Sequence, residues 1–129
     1  MQLTEWCESY FRHKDILERK IEDIKHDGDR LIIRRKDGDL VVICDSDFSK
    51  ISFDDTEGYA RIYAASLHTK KNLSHLIDRW KELVAKENLM CVFADPESNT
   101  KWLVAPSSHD RIIHGDLKKG LKSLFDNCS

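Results

Sequence analysis

Residues 30–45 read RLIIRRKDGDLVVICD. Two apolar-rich runs, Arg30 to Lys36 and Asp39 to Asp45, flank Asp37-Gly38, a dipeptide that tolerates the positive φ values of a two-residue hairpin turn. Counting outward from that turn pairs Ile33 with Val42 and Leu31 with Cys44 on one face, and Arg34 with Val41 and Ile32 with Ile43 on the other. The first is the better core face. The second carries Arg30, Arg34 and Lys36 beside apolar neighbours, so it is expected to be partly covered by a helix or open to a partner.

Upstream, Leu3, Cys7, Tyr10, Leu17, Ile21 and Ile24 recur at spacings of three and four, interrupted only by Lys14, and predict one long helix over Leu3 to Ile24 ended by Asp27-Gly28. Trp6, Phe11 and Ile16 widen the apolar stripe. Lys14 in the seam, flanked by aromatic Trp6 and Phe11 read as exposed, suggests a second contact face on this helix, as in a homodimer. Downstream, Ser46 to Gly58 is acidic and turn-rich, and Tyr59 to Leu67 predicts a third strand with Tyr59, Arg61 and Tyr63 on one face. Asn72 to Glu87 predicts a second helix capped by Asn72. Leu89 to Ala94 and Lys101 to Ala105 predict a second hairpin stopped by Pro106, and Asp116 can cap a terminal helix docking Leu117, Leu121, Leu124 and Phe125. The order helix, hairpin, strand, helix, hairpin, helix predicts a single α+β domain over residues 1–129, with a mainly antiparallel sheet of about five strands.

The 129 residues are 40% hydrophobic and 34% charged with 5 Gly and 2 Pro, a composition that excludes disordered and collagen-like classes. The longest apolar runs, Leu40 to Cys44 and Leu89 to Ala94, fall far short of the ~20 residues that span a bilayer. Met1 to Ser9 has no basic start followed by an apolar stretch, so a cytoplasmic location is expected. Cys7, Cys44, Cys91 and Cys128 form no CxxC pair and read as free thiols. The net charge of −2 offers no global field for nucleic acid, so any such role needs a local patch.

Four apolar residues followed by Asp45-Ser46-Asp47 place two carboxylates at a strand end, where they can hold a hard cation such as Mg²⁺ and one can act as nucleophile or base. This string resembles the first motif of haloacid-dehalogenase-type phosphatases, and Gly115-Asp116 resembles their late Gly-Asp element. The resemblance implies Mg²⁺-dependent phosphoryl transfer through Asp45 and Asp47, on the first strand of a parallel sheet followed by a crossover helix. The plainer reading is that both aspartates leave a strand and start a turn.

Residues 37–57 hold seven acidic residues and Lys50, directly after the basic block Arg30 to Lys36, and the two blocks can neutralise each other or meet partners. A restriction-type nuclease would need a carboxylate-x-Lys triplet on the third strand, and Tyr59 to Leu67 has none. The six histidines offer no HxxxH or HExxH spacing, and P-loop, GxGxxG and GxSxG signatures are absent. The C-terminal third, Lys101 to Lys122, is net +3. Trp102 there could stack on bases while Lys101, Arg111, Lys118, Lys119 and Lys122, helped by Arg30, Arg34 and Lys36, neutralise phosphates. Because each catalytic pattern lacks a second part, the sequence reads first as a nonenzymatic binding module engaging a protein partner or a second copy, with no cofactor. Nucleic-acid binding and Mg²⁺-dependent phosphoryl transfer are the alternatives.

Overall fold

The chain enters as helix α1 (Leu3–Lys14) and then lays down six strands: β1 (Ile21–Asp27), β2 (Arg30–Arg35), β3 (Leu40–Cys44), β4 (Arg61–Leu67), β5 (Leu89–Asp95) and β6 (Thr100–Val104). Helices α2 (Lys70–Asp78) and α3 (Trp80–Val84) separate β4 from β5, and α4 (Pro106–Ile112) and α5 (Leu117–Asp126) follow β6. These elements come from a computed structural model that describes residues 2–112 and 116–126. Gly115 of the Gly-Asp pair and Cys128, read as a free thiol, lie outside that range.

The fold is α+β, as the sequence predicts, but the sheet is mixed. Its spatial order is β1-β2-β3-β4-β5-β6. The pairs β1/β2, β2/β3 and β5/β6 are antiparallel, whereas β3/β4 and β4/β5 are parallel. The expectation of about five mainly antiparallel strands therefore needs correcting. Ser46 to Ala60, containing a single 3-10 turn at Phe48–Lys50, acts as a crossover that brings β4 alongside β3 in the same direction. With α1 packed on one face and α2, α3 and α5 on the other, β3 is covered on both sides, which is why Leu40 to Cys44 is apolar throughout rather than alternating.

Each sheet face has its own core. On one side Trp6, Cys7 and Phe11 of α1 pack on Leu31, Ile33, Val42, Cys44, Tyr63 and Ala65. On the other, Leu73, Leu76, Trp80, Leu83, Leu121 and Phe125 cover Val41, Ile43, Ile62, Cys91, Phe93 and Trp102. Trp6 and Phe11 are each only 5% exposed, so the rings read as a second contact face belong to the chain's own core.

The long first helix is corrected as well. It stops at Lys14, and Asp15 turns the chain: its two carboxylate oxygens accept from the backbone N–H groups of Lys20 and Ile21, each at 2.9 Å, while Arg19 adopts φ 53°. Residues 21–27 then pair with β2 as a strand. Asp27-Gly28 ends no helix. Gly28, at φ +63°, sits in the two-residue β1/β2 turn, where a left-handed conformation is required.

The β2/β3 hairpin forms, but with its register moved by two residues. Leu31 faces Val42 and Ile33 faces Leu40, and the loop is four residues rather than two. A shift of two preserves which residues share a face, so the predicted core face holds. Gly38 (φ +128°) is packed so closely under the crossover that a Cβ would lie 2.7 Å from the Cβ of Ala60.

The predicted second helix is two. Thr69, not Asn72, caps α2 through its Oγ1, and the helix breaks at Arg79, whose guanidinium donates to the carbonyl of Phe48 at 2.9 Å and to both carboxylate oxygens of Glu82. Asn72 is buried instead. Its Nδ2 donates to the carbonyls of Ser46 (2.9 Å) and Leu67 (2.8 Å), and its Oδ1 accepts from the N–H of Phe48 (2.9 Å). One amide thus ties the start of the crossover to the end of β4. Pro106 does end the second hairpin, and it also begins α4, where a missing N–H costs nothing. Trp80 Nε1 anchors that helix by donating to Asp110 at 2.8 Å.

Candidate binding groove

The 3.6-residue repeat of α1 puts Trp6, Ser9, Tyr10, His13 and Lys14 along one flank. The β5–β6 loop and the start of β6 bring Pro96, Asn99 and Lys101 opposite them, enclosing a groove of about 700 Å³. Asn99, in a left-handed turn at φ 56° that Asn tolerates, accepts from Trp6 Nε1 at 2.9 Å and fixes the loop to the helix. The Trp6 and Tyr10 rings stack with centroids 5.3 Å apart and planes 5° from parallel. Lys14 Nζ lies 5.9 Å and Lys101 Nζ 5.4 Å from the Tyr10 centroid, within cation–π range.

No carboxylate lines this groove. Asp95, at the base of the loop, is turned into it instead. The Ser98 hydroxyl is the largest influence holding its carboxyl below the usual range, with the N–H groups of Ser98 and Glu97 adding to it. Burial, then the neighbouring Tyr63, pushes the Tyr10 phenol up, so it remains a hydrogen-bond donor at neutral pH. The groove therefore offers two ammonium groups, an imidazole, a phenol and an aromatic face to an anion with a planar ring.

Of the residues singled out for nucleic acid, Lys101 belongs to this groove. Trp102, its neighbour on β6, points to the opposite sheet face, where it is 6% exposed and packed against Phe93 and Phe125. The strand's period of two separates what the sequence placed side by side. Arg111 on α4 and Lys118, Lys119 and Lys122 on α5 are exposed. Arg34 is exposed and Arg30 half-buried on β2, on the face opposite α1, and Arg30 donates to the carbonyl of Ser52 at 3.1 Å. Lys36 is exposed in the β2–β3 loop. Part of the charge neutralisation expected between the basic and acidic blocks is present as Arg35–Asp37 (3.5 Å).

Asp45 and Asp47 both stand after β3, engaged in local turns. Asp45 Oδ1 accepts from the N–H of Asp47 at 2.9 Å, and Asp47 Oδ1 accepts from the hydroxyl (2.7 Å) and N–H (3.0 Å) of Ser49. Those Ser49 bonds hold the Asp47 carboxyl below its usual range, with His75 and Lys71 as smaller contributions. Among the described residues no group of three or more His, Cys, Asp and Glu is placed to hold a metal ion.

The sequence reading missed Tyr10, His13 and Asn99 as site residues. The available signal was Lys14, a charged interruption of an otherwise apolar seam, which lines the groove. An α+β protein with a mixed sheet and a cationic aromatic groove is the class these features define. Comparison with protein-family models, curated proteins and solved structures gives no match for the chain. No helix among the described residues is long and apolar enough to cross a membrane.

Proposed function

We propose that the protein is a binding module without chemistry of its own, and that its groove takes the phosphate and base of single-stranded nucleic acid. The observation that supports this reading is local charge inversion: a chain of net charge −2 has a groove lined by Lys14, Lys101 and His13 with no acidic side chain. The two lysines rest over Tyr10. On binding they move onto phosphate oxygens and leave the ring to stack on a base, a contact worth ~1–3 kcal/mol and indifferent to base identity.

The test is fluorescence anisotropy of a labelled oligothymidine titrated with the protein across a salt series. Two phosphate contacts give a slope of about −1.4 in log affinity against log salt, at ~0.7 per contact on a single strand. Replacing both lysines (Lys14→Glu with Lys101→Glu) abolishes binding, while Lys118→Glu with Lys122→Glu on α5 leaves it intact. Absence of binding at the lowest salt, or equal loss in both double variants, overturns the proposal.

One observation favours a second reading, self-association. Leu17 is 93% exposed and Ile16 59%, side by side on the turn that Asp15 clamps, so an apolar tip is presented at little entropic cost. Sedimentation over a wide concentration range should show a dimer that Leu17→Glu dissociates. A wild-type chain that stays monomeric throughout refutes it.

A further inference from the structure

Cys7, Cys44 and Cys91 are free thiols in the described chain, and two of them share one core. Cys7 on α1 and Cys44 at the end of β3 lie in the same core cluster, where α1 packs on β3. The pair is 37 positions apart in sequence by subtraction, and it joins two different layers of the fold. Both thiols are buried, Cys7 1% and Cys44 4% exposed, and of the two it is Cys44 that reaches a cavity. Cys44 lines a second cavity, of about 550 Å³, at the carboxyl ends of β3, β4 and β5, together with Thr4, Asp45, Leu67, Asp95 and Pro96. Cys91 is the contrast: it is fully buried in the opposite core, and burial pushes its thiol up.

We propose that Cys7 and Cys44 are a redox-active thiol pair, in which Cys44 reacts with a peroxide-class oxidant entering through this cavity and Cys7 resolves the product into a disulfide joining α1 to β3. Cys44 lines the cavity and Cys7 does not, so an entering oxidant meets Cys44 first; Cys7, then Thr4, also hold the Cys44 thiol below the usual cysteine range against its burial, while Cys44 and burial push the Cys7 thiol up. The Cys44 sulfur attacks one peroxide oxygen, the O–O bond breaks, and the other oxygen leaves as an alcohol or water after taking up the Cys44 proton. Sulfur is oxidised to the sulfenic acid and the peroxide is reduced. The Cys7 sulfur then attacks the Cys44 sulfur, the S–O bond breaks, and hydroxide leaves as water with the Cys7 proton. Two thiols and one peroxide give one disulfide, one alcohol (or water) and one water.

The experiment treats the full-length native protein with cumene hydroperoxide, then unfolds it, alkylates the remaining thiols and maps the peptides by mass. The expected result is loss of two of the four thiols, with the Cys7 and Cys44 peptides linked, lighter by two hydrogens, and separated again by dithiothreitol. In Cys7→Ser, Cys44 stops as a sulfenic acid that a 1,3-diketone probe labels. In Cys44→Ser, Cys7 stays unmodified. The wild-type map decides by itself should either variant fail to fold. Full alkylation of Cys7 and Cys44 after treatment of a still-folded protein, or a link that uses Cys91 or Cys128 instead, overturns the proposal.

Discussion

Asn72→Ala removes three hydrogen bonds and nothing else of consequence. The amide is 2% exposed, and its loss leaves the carbonyls of Ser46 and Leu67 and the N–H of Phe48 facing a void at the point where β3, β4 and α2 converge. At ~1–1.5 kcal/mol for each buried bond lost, the expected destabilisation is about 3–5 kcal/mol, a large share of the ~5–15 kcal/mol that holds a domain of this size folded. Urea unfolding followed by tryptophan fluorescence measures it. With a slope of ~2 kcal/mol per molar, the midpoint falls by about 2 M. Asn72→Asp provides the sign check. The carboxylate can still accept from Phe48 but sets an anion against two carbonyls, which raises its folded pKa above the unfolded value. That variant is therefore least destabilised in acid and loses stability as pH rises through the raised pKa. A loss below about 1 kcal/mol in Asn72→Ala at unchanged slope would refute the assignment of Asn72 as the tie between crossover and sheet.

Three further outcomes follow from particular contacts. Gly38→Ala places a Cβ 2.7 Å from that of Ala60 at φ +128°, and should cost about 2 kcal/mol by urea melt; adding Ala60→Gly relieves the overlap and recovers part of it. Asp15→Ala frees the N–H groups of Lys20 and Ile21, so hydrogen exchange at those two amides accelerates while exchange in β3 and β4 is unchanged. Glu8 on α1 is held below the usual carboxylate range first by the Arg12 guanidinium and then by His26 of β1. A depressed carboxyl stabilises above its ordinary pKa of 4.5 and loses that contribution as pH falls through its lowered value, so the wild type is the more stable at neutral pH and Glu8→Gln converges with it in acid.

Local pattern was enough wherever the nearest neighbours in sequence are also the structural partners. The face assignment of Leu31, Ile33, Val42 and Cys44, the β5/β6 hairpin and the docking of Leu117, Leu121 and Phe125 from the terminal helix all follow from periods of 2 and 3.6, whereas Leu124, expected to dock with them, is 41% exposed. The same periodicity misled at residues 15–24. There Leu17, Ile21 and Ile24 continue a helical spacing by coincidence, and the long-range pairing of β1 with β2, together with Asp15 reaching forward to Lys20 and Ile21, outweighs it. Parallel pairing was illegible for a related reason. It joins β3 to β4 across a crossover stapled by Asn72, a residue whose sequence position suggested a helix cap.

The amino-acid sequence by itself determined the α+β class, the two hairpins, the shortness of every apolar run and the apolar core of the central strand, because these depend on composition and short-range periodicity. Tertiary structure alone decided the mixed sheet, the groove and the thiol pair. Lys14 and Lys101 are 87 positions apart by subtraction, and Cys7 and Cys44 belong to different layers; what brings each pair together is the docking of α1 on one face of a sheet whose strand order no local signal encodes.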